Sequence, residues 1–442
     1  MRQKIFQFFK AAEIFDCGYG IDVKGVLSMV EVAVMGYGTV GSGVVDVVEK
    51  HAGSIEKRAS VKIGIKYILD LRDFPGNPYE KKFIKSFDTI INDPDIKIVV
   101  EVMGGINPAF EYTKRCLSSG KSVVTSNKEL VAAKGAELLK IAKDNNTNFL
   151  FEASVGGGIP IIRPISQCLA ANEVVEIAGI LNGTTNFILT KMIHEKKSFA
   201  ETLALAQKLG YAERNPDADI KGYDACRKIC ILASLAYGKH VYPEQVHTEG
   251  IENVTLTDVE YAAAWGGVVK LIGRVRKVES GKLQIIVCPM FLPNESQLAN
   301  IDDVFNGILV RGDAAGDVVF YGRGAGKYPT ASAVVADIID CAKHLKTRKY
   351  LFWGDGDKDY VEDYRENEAA MYVRAETDDE VLAFKNIKNY FGSVERLVRK
   401  DAGKGEIAFV TKPMKEKDID DKLKLVSQLG IKVLNKIRIS DL

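Results

Sequence analysis

The feature that most constrains this chain is a short apolar segment that leads directly into a glycine-rich turn and a helical pattern. Residues 30–35 read VEVAVM, residues 36–41 read GYGTVG, and residues 42–50 repeat apolar side chains at helical spacing. A strand, a glycine turn and a helix in this order are typical of sites that bind the pyrophosphate of a dinucleotide. The free N–H groups and the positive dipole end of the helix attract phosphate.

Each glycine of this turn has its own role. Gly36 permits the tight turn, Gly38 lets the main chain approach a pyrophosphate, and Gly41 lets the helix pack close to the strand. Thr39 and Val40 lie between these glycines and belong to the same predicted cofactor site. The alternative is a glycine turn that binds no ligand.

A second apolar strand, residues 61–69, ends at Asp70. A carboxylate at this position can accept hydrogen bonds from a ribose 2′-hydroxyl, which favours NAD. Asp70 lies farther beyond the turn than the usual spacing of about 20 residues, and Arg72 could instead hold the 2′-phosphate of NADP. These residues leave the choice between NAD and NADP open, and a simple turn residue is the alternative for Asp70.

Strands and helices continue to alternate up to residue 150. Residues 96–105 predict a buried strand that ends in glycines, residues 108–119 a helix, and residues 121–125 another strand. The alternation predicts a Rossmann-type, doubly wound parallel sheet with ligands at the carboxyl ends of its strands. Lys128 follows one of those ends and could point into the crevice, although a lone loop lysine is more often a solvated charge.

Two glycine-rich segments follow. Residues 149–160 read FLFEASVGGGIP, and three consecutive glycines leave main-chain groups free to face a ligand or an ion. A tight loop between domains is the alternative. Residues 176–186 predict a strand and a glycine turn that opens a helix, with Thr185 or Asn186 as the cap.

The loop of residues 211–228 concentrates charge at the entrance of an apolar helix. Its acids are Glu213, Asp217, Asp219 and Asp224. Asp224 and Lys228 are four positions apart, so they project from one helix face and can interact. Because residues 229–237 are almost wholly apolar, the pair should line an interior cavity, where acids could bind an ammonium and a lysine could protonate a developing alkoxide. The alternative is an exposed loop with a helical salt bridge.

Composition excludes several classes of function. With 60 basic and 59 acidic residues the formal charge is +1, which argues against nucleic acid as a partner. No apolar run approaches the roughly 20 residues that a membrane helix needs. Seven scattered cysteines without CxxC pairs predict reduced thiols in a cytoplasmic protein. Residues 1–28 are predicted to be an N-terminal extension outside the fold.

The last hundred residues predict a separate unit. Residues 346–365 are polar and acidic, which is typical of a linker. Residues 366–442 then show the order βαββαβ, which is that of a ferredoxin-like module.

Six segments carry a resemblance to a known family. They are GYGTVGSGV, TSNK, EASVGGGIPII, LNGTTNFIL, GYAERNPDADIKGYDACRKICILA and GRGAGKYPTASAVVADI. In this order, over about residues 30–345, they resemble homoserine dehydrogenase. The resemblance implies that aspartate semialdehyde and NAD(P)H interconvert with homoserine and NAD(P), in threonine, methionine and isoleucine synthesis. The alternative is an inactive regulator that senses nucleotides and amino acids on the same scaffold, against which both Lys128 and Lys228 argue.

The resemblance also implies roles for individual residues. Lys228 matches a proton-donating lysine, and Lys128 matches a second lysine near nicotinamide and substrate. The acids that hold the substrate or support the lysine are Glu213, Asp219 and Asp224. The glycines of a loop that closes on the cofactor are Gly324 and Gly326. The positions around a monovalent cation such as Na⁺, largely through main-chain oxygens, are Glu152, Val155, Gly157 and Ile159.

The domains implied are a dinucleotide-binding domain over 29–150, completed by about 310–345, and an α+β catalytic and dimerisation domain over 151–309. The assembly implied is a homodimer or homotetramer. The tail resembles an ACT-type module with an amino-acid effector, often threonine, although Asp378 begins Asp-Asp-Glu-Val where the family has a Pro-Gly turn. Leu69 replaces an arginine found in many members, which favours NAD.

Overall fold

The computed structural model describes residues 29–349, 351–357 and 359–442. The predicted N-terminal extension, residues 1–28, lies outside the described residues. Among the helices in these ranges, none combines the length and the apolar character needed to cross a membrane.

A six-stranded parallel sheet occupies the N-terminal region. Its strands are β1 (Met29–Met35), β2 (Lys62–Leu69), β3 (Phe83–Ile84), β4 (Ile96–Glu101), β5 (Ser122–Thr125) and β6 (Phe149–Leu150). Its helices are α1 (Thr39–Lys50), α2 (Ala52–Ala59), α3 (Phe87–Asn92), α4 (Ala109–Ser118) and α5 (Lys128–Asp144). The strand order β3-β2-β1-β4-β5-β6 confirms the predicted Rossmann-type sheet.

The second region is built on antiparallel strands. They are β7 (Val174–Ile180), β9 (Gly267–Lys277), β10 (Leu283–Pro293), β11 (Phe305–Gly312) and β12 (Gly316–Arg323), with β8 (His247–Thr248) beside β10. The helices are α6 (Gly183–Glu195), α7 (Phe199–Lys208), α8 (Asp217–Ile220), α9 (Tyr223–Tyr237) and α10 (Leu256–Trp265). Helices α6, α9 and α10 pack on β9, so the buried face of the sheet supports the helix that carries Asp224 and Lys228.

Helix α11 (Lys327–Lys343) leaves the second region and packs against α1. The contact is close, because a Cβ atom on Gly43 would lie 2.8 Å from the main-chain oxygen of Lys327. Lys327 also forms a 2.7 Å ion pair with Asp46. The loop that precedes α11 is thereby held near the start of α1.

The C-terminal region follows the predicted order of strands and helices, with one additional two-residue strand. Its elements are β13 (Glu368–Glu376), α12 (Glu380–Phe391), β14 (Glu395–Leu397), β15 (Glu406–Val410), β16 (Met414–Lys415), α13 (Glu416–Ser427) and β17 (Lys432–Ile439). Strand β17 pairs with β13 on one side and, in parallel, with β10 on the other. This pairing joins the second and third regions into one eleven-stranded sheet.

The segment predicted as a linker packs onto the body of the protein. Trp353 is 1% exposed and meets Phe151 edge to face, with ring centroids 5.4 Å apart. Its indole N–H donates to Nδ1 of His240 at 2.9 Å. The polar composition of this segment hides two buried apolar side chains, Leu351 and Trp353.

Arg438 of β17 ties the C-terminal region to the second region. Its guanidinium donates to Glu416 at 2.7 and 2.8 Å and to Glu249 at 2.8 and 2.9 Å. The Arg438 side chain is 6% exposed and that of Glu416 is 2% exposed. Both charges therefore depend on each other for compensation of lost hydration.

We predict that Arg438→Met lowers the free energy of unfolding by about 3–5 kcal/mol, because it leaves Glu416 buried without a counter-ion. Denaturant unfolding at neutral pH measures this loss. The matched control is Lys432→Met on the same strand, whose ion pair with Glu376 is exposed. The control should cost less than about 1 kcal/mol, and equal losses in the two variants would contradict the prediction.

Candidate active site

A cleft of about 670 Å³ lies where the N-terminal sheet region meets the second region. It contains residues from α1, α5, α9 and the loop before α11. Ten predicted site residues line it: Thr39, Val40, Lys128, Gly157, Glu213, Asp219, Asp224, Lys228, Gly324 and Gly326. Positions far apart in the chain are thus brought to one place by the packing of the two regions.

Asp224 is the carboxylate at which two lysines meet. The Nζ atom of Lys228 lies 2.7 Å from Oδ2 of Asp224, and Nζ of Lys128 lies 2.6 Å from Oδ1. Lys228 also donates to the carbonyl oxygen of Leu181 at 2.7 Å. Since Lys128 begins α5 and Lys228 belongs to α9, this carboxylate joins the two regions across the cleft.

The two lysines differ in their electrostatic environment. Burial lowers the pKa of Lys228, and the charge of Lys128 acts in the same direction while Asp224 opposes it. The charge of Asp224 raises the pKa of Lys128, against the effect of burial. Burial would raise the pKa of Asp224, but the two ammonium groups hold it well below its usual range. Lys128 therefore stays charged, whereas Lys228 is the better group to exchange a proton.

Asn182 organises the acids and is absent from the predicted site residues. Its Nδ2 atom donates to Asp219 at 2.7 Å and to Asp224 at 2.9 Å, while its Oδ1 accepts the main-chain N–H of Thr185. Asn182 is thus the cap of α6, and the predicted cap at Thr185 or Asn186 is wrong because both lie inside the first turn. The preference of asparagine for cap positions is a signal that could have identified it.

Asp219 lies beside this asparagine in a partly buried position. Burial raises the pKa of Asp219, and the negative charge of Asp224 adds to the effect. Glu213 lines the same cleft but is exposed. The cleft therefore contains one deeply buried acid, one intermediate acid and one acid open to solvent.

A second ion pair crosses the cleft next to the first. Arg227 donates to Glu129 at 3.2 Å. Each partner is adjacent in sequence to one of the two lysines, so α5 and α9 are linked twice, with the charges reversed. This pair was not predicted, because nothing in the local sequence places residues 129 and 227 together.

The glycine turn has the geometry that a dinucleotide requires. A Cβ atom on Gly41 would lie 1.9 Å from the carbonyl oxygen of Gly36, so only glycine allows α1 to start so close to the turn. Gly38 is the cap residue of α1 and no side chain caps this helix in the described part of the chain. The main-chain N–H groups at its start are therefore available to phosphate.

Asp70 and Arg72 occupy one point at the end of β2. Arg72 donates through its Nε atom to Oδ1 of Asp70 at 3.0 Å and through Nη2 to Oδ2 at 2.8 Å. The main-chain N–H of Tyr37 also donates to Oδ2 at 2.8 Å. The bonds from Arg72 hold the pKa of Asp70 well below its usual range, against the effect of burial. The two groups proposed to recognise the ribose are therefore bound to each other.

The residues predicted around a cation are only partly directed toward one. The carboxylate of Glu152 accepts the main-chain N–H groups of Ile161, Ile162 and Arg163 at 2.6, 2.8 and 2.9 Å. Its oxygens thus cap the next turn. Val155 and Ile159 are buried. No cluster of acidic, histidine or cysteine side chains suited to a metal ion occurs within the described ranges.

A Rossmann-type sheet with an uncapped helix start, opening on a cleft that contains two lysines and three acids, defines an NAD(P)-dependent oxidoreductase. Residues 36–152 match the family model described as the NAD-binding domain of homoserine dehydrogenase. Residues 160–339 match the model described as homoserine dehydrogenase. The chain belongs to the homoserine dehydrogenase family.

Relatives and solved structures agree over most of the chain. The homoserine dehydrogenase of Bacillus subtilis is 36% identical over 421 residues, which is 92% of this chain and 96% of the relative. That of Helicobacter pylori is 38% identical, over 90% of this chain and 95% of the relative. The crystal structure of a homoserine dehydrogenase from Thiobacillus denitrificans is 33% identical, with a TM-score of 0.83, and covers 94% of this chain and all of its own.

We predict that Asp224→Asn lowers the free energy of unfolding by about 3 kcal/mol near neutral pH, because two ammonium groups lose their counter-ion. The pKa of Lys228 in the folded protein should fall further below its unfolded value. The unfolded chain then binds the extra proton over a wider range, so the deficit should shrink from about pH 7 to about pH 9.5. Denaturant unfolding at both pH values measures it.

Asp217→Asn is the matched control, since Asp217 and Lys221 form an exposed ion pair with the same i, i+4 spacing. We expect a loss below about 1 kcal/mol at both pH values. A deficit in Asp224→Asn that stays constant with pH would contradict the proposed coupling to Lys228.

Proposed function

We propose that this protein catalyses reversible hydride transfer between L-homoserine and L-aspartate 4-semialdehyde, with NAD or NADP as the cofactor. The activity belongs to the biosynthesis of threonine, methionine and isoleucine. One observation carries the proposal: Lys228 and Lys128 share the carboxylate of Asp224 within the cleft that also includes Thr39 and Val40 at the start of α1.

The charges of the cleft suit a small amino acid. Glu213 and Asp219 offer carboxylates to the substrate ammonium, and Asn182 fixes the orientation of Asp219. Lys128 keeps its positive charge close to the reacting end of the substrate. Opposite charges on fixed side chains orient the substrate before the reaction, which is the main contribution that a protein makes to hydride transfer.

Lys228 is the proton donor and acceptor in this proposal. A bound nicotinamide supplies or accepts the hydride. When the aldehyde is reduced, negative charge develops on its oxygen, and the ammonium of Lys228 stabilises this charge and donates a proton. When homoserine is oxidised, the neutral amine of Lys228 accepts the hydroxyl proton. Its lowered pKa makes the neutral amine accessible below the ordinary lysine range.

A direct assay tests the activity. Purified protein is mixed with homoserine and NAD or NADP, and the absorbance of the reduced cofactor is followed. We expect a linear increase with at least one cofactor. No increase with either cofactor, over a range of pH and salt concentration, would instead support the inactive regulator.

We predict that Lys228→Ala lowers kcat for homoserine oxidation by a factor of about 100 or more, because the general acid–base group is lost. Steady-state kinetics at several pH values measure the change. Lys221→Ala, which removes an exposed lysine paired with Asp217, is the control and should leave kcat unchanged. A rate in Lys228→Ala equal to that of the wild type would remove Lys228 from the mechanism.

The choice of cofactor is proposed to depend on the Asp70–Arg72 pair. We predict that Asp70→Ala weakens NAD binding by about tenfold, because a ribose hydroxyl loses its acceptor. NADP should bind as tightly or more tightly, since Arg72 is freed to meet the 2′-phosphate. Asp73→Ala, which removes an exposed partner of Lys85, is the control. Equal losses for both cofactors in Asp70→Ala would contradict the contact.

The archaeal structural neighbour, 30% identical with a TM-score of 0.61 over 71% of this chain, is a complex with NADPH. It supports NADP as one of the two alternatives. A monovalent cation such as Na⁺ remains part of the proposal and would be held by the main-chain oxygens of Val155, Gly157 and Ile159, because the side chain of Glu152 is already engaged. The homodimer or homotetramer, the amino-acid effector and the cytoplasmic location also remain predictions.

A further inference from the structure

Asn306 has a buried side-chain amide without a hydrogen-bond partner. It is the second residue of β11 and is 1% exposed. Neither its Oδ1 nor its Nδ2 atom forms a hydrogen bond with any described residue. A buried amide that is left unpaired destabilises the folded state, so native proteins seldom retain one without a function.

The amide lies beneath the active-site cleft. On one side is Gly183, the first residue of α6, and on the other is Gly324 in the loop of residues 322–326; both glycines line the cleft. A Cβ atom on Gly324 would lie 2.2 Å from Oδ1 of Asn306 and 2.6 Å from Nδ2. Gly324 is therefore glycine because the Asn306 amide fills the space of a side chain.

We propose that Asn306 is a positioning residue whose amide forms its hydrogen bonds only when the loop of residues 322–326 closes over a bound dinucleotide. An amide offers one donor group and one acceptor, which match the C=O and N–H of a main-chain peptide group. The amide lies flat against Gly324, so a small shift of the loop would satisfy both atoms. The inference rests on the proposed function in that NAD or NADP is the ligand.

The energetic consequence is a coupling between loop closure and binding. Hydrogen bonds that are absent in the open cleft and present in the closed cleft favour the state that holds the ligand. The protein thereby gives up stability in the free state and gains affinity for the cofactor. A group that only filled space would show no such dependence on the ligand.

Asn306→Leu tests the proposal, because leucine keeps the branched shape and removes both polar atoms. Without ligand, its Tm should rise, since an unpaired buried amide is gone. Its Kd for NADH and for NADPH should increase by about tenfold. Fluorescence titration and thermal unfolding, with and without each reduced cofactor, measure these quantities.

Thr113→Val is the matched control. The Thr113 hydroxyl, in α4, is also buried without a partner, but it does not line the cleft. We expect a raised Tm and an unchanged Kd. An unchanged Kd in Asn306→Leu would overturn the proposal and leave Asn306 with a packing role alone.

Hydrogen exchange of the wild-type protein gives a second test that does not depend on the folding of a variant. Saturation with NADPH or NADH should slow the exchange of amides in residues 322–326, and unchanged exchange with both would overturn the closure. These measurements use cofactor binding only. A wild type that binds cofactor and protects the loop but does not oxidise homoserine would refute the proposed activity and support the inference about Asn306.

Discussion

One carboxylate compensates two ammonium groups that come from different regions of the chain, and the active-site cleft depends on this interaction. Asp224 is buried, and a buried charge is tolerated only when it is paired. The two ammonium groups face opposite oxygens of the same carboxylate, so they hold α5 and α9 at a fixed separation. The same contact divides the roles of the lysines, since the more buried Lys228 has the lowered pKa and Lys128 the raised one.

Features set by neighbouring residues could be predicted from the sequence. The glycine turn, the alternation of strands and helices, and the spacing of Asp224 and Lys228 each follow from local geometry. Contacts between distant segments could not be predicted in this way. The bond from Lys128 to Asp224 and the pair of Glu129 with Arg227 depend on how the two regions pack, and the family resemblance rather than the local pattern indicated a role for Lys128.

Polar side chains that serve the main chain were the other source of difference. Glu152 stands in a glycine-rich segment and looks like a ligand, but its oxygens accept three main-chain N–H groups. Asn182 looks like an ordinary turn residue, but it both caps a helix and orients two acids. In each case the residue type was informative, and only the three-dimensional path of the main chain decided which partner it met.

The pairing of β17 with β10 has a consequence for how this protein is made. Strand β17 is the last strand of the chain, yet it lies inside the eleven-stranded sheet. Part of the edge of β10 therefore stays unpaired until the final residues have left the ribosome, and such an edge invites wrong pairing. Joining Met290 to Arg438 closes a loop of roughly 150 residues, and contacts of such long sequence separation form slowly. The nascent enzyme must pass through a stage in which most of its second sheet is complete and its boundary is still exposed to other chains.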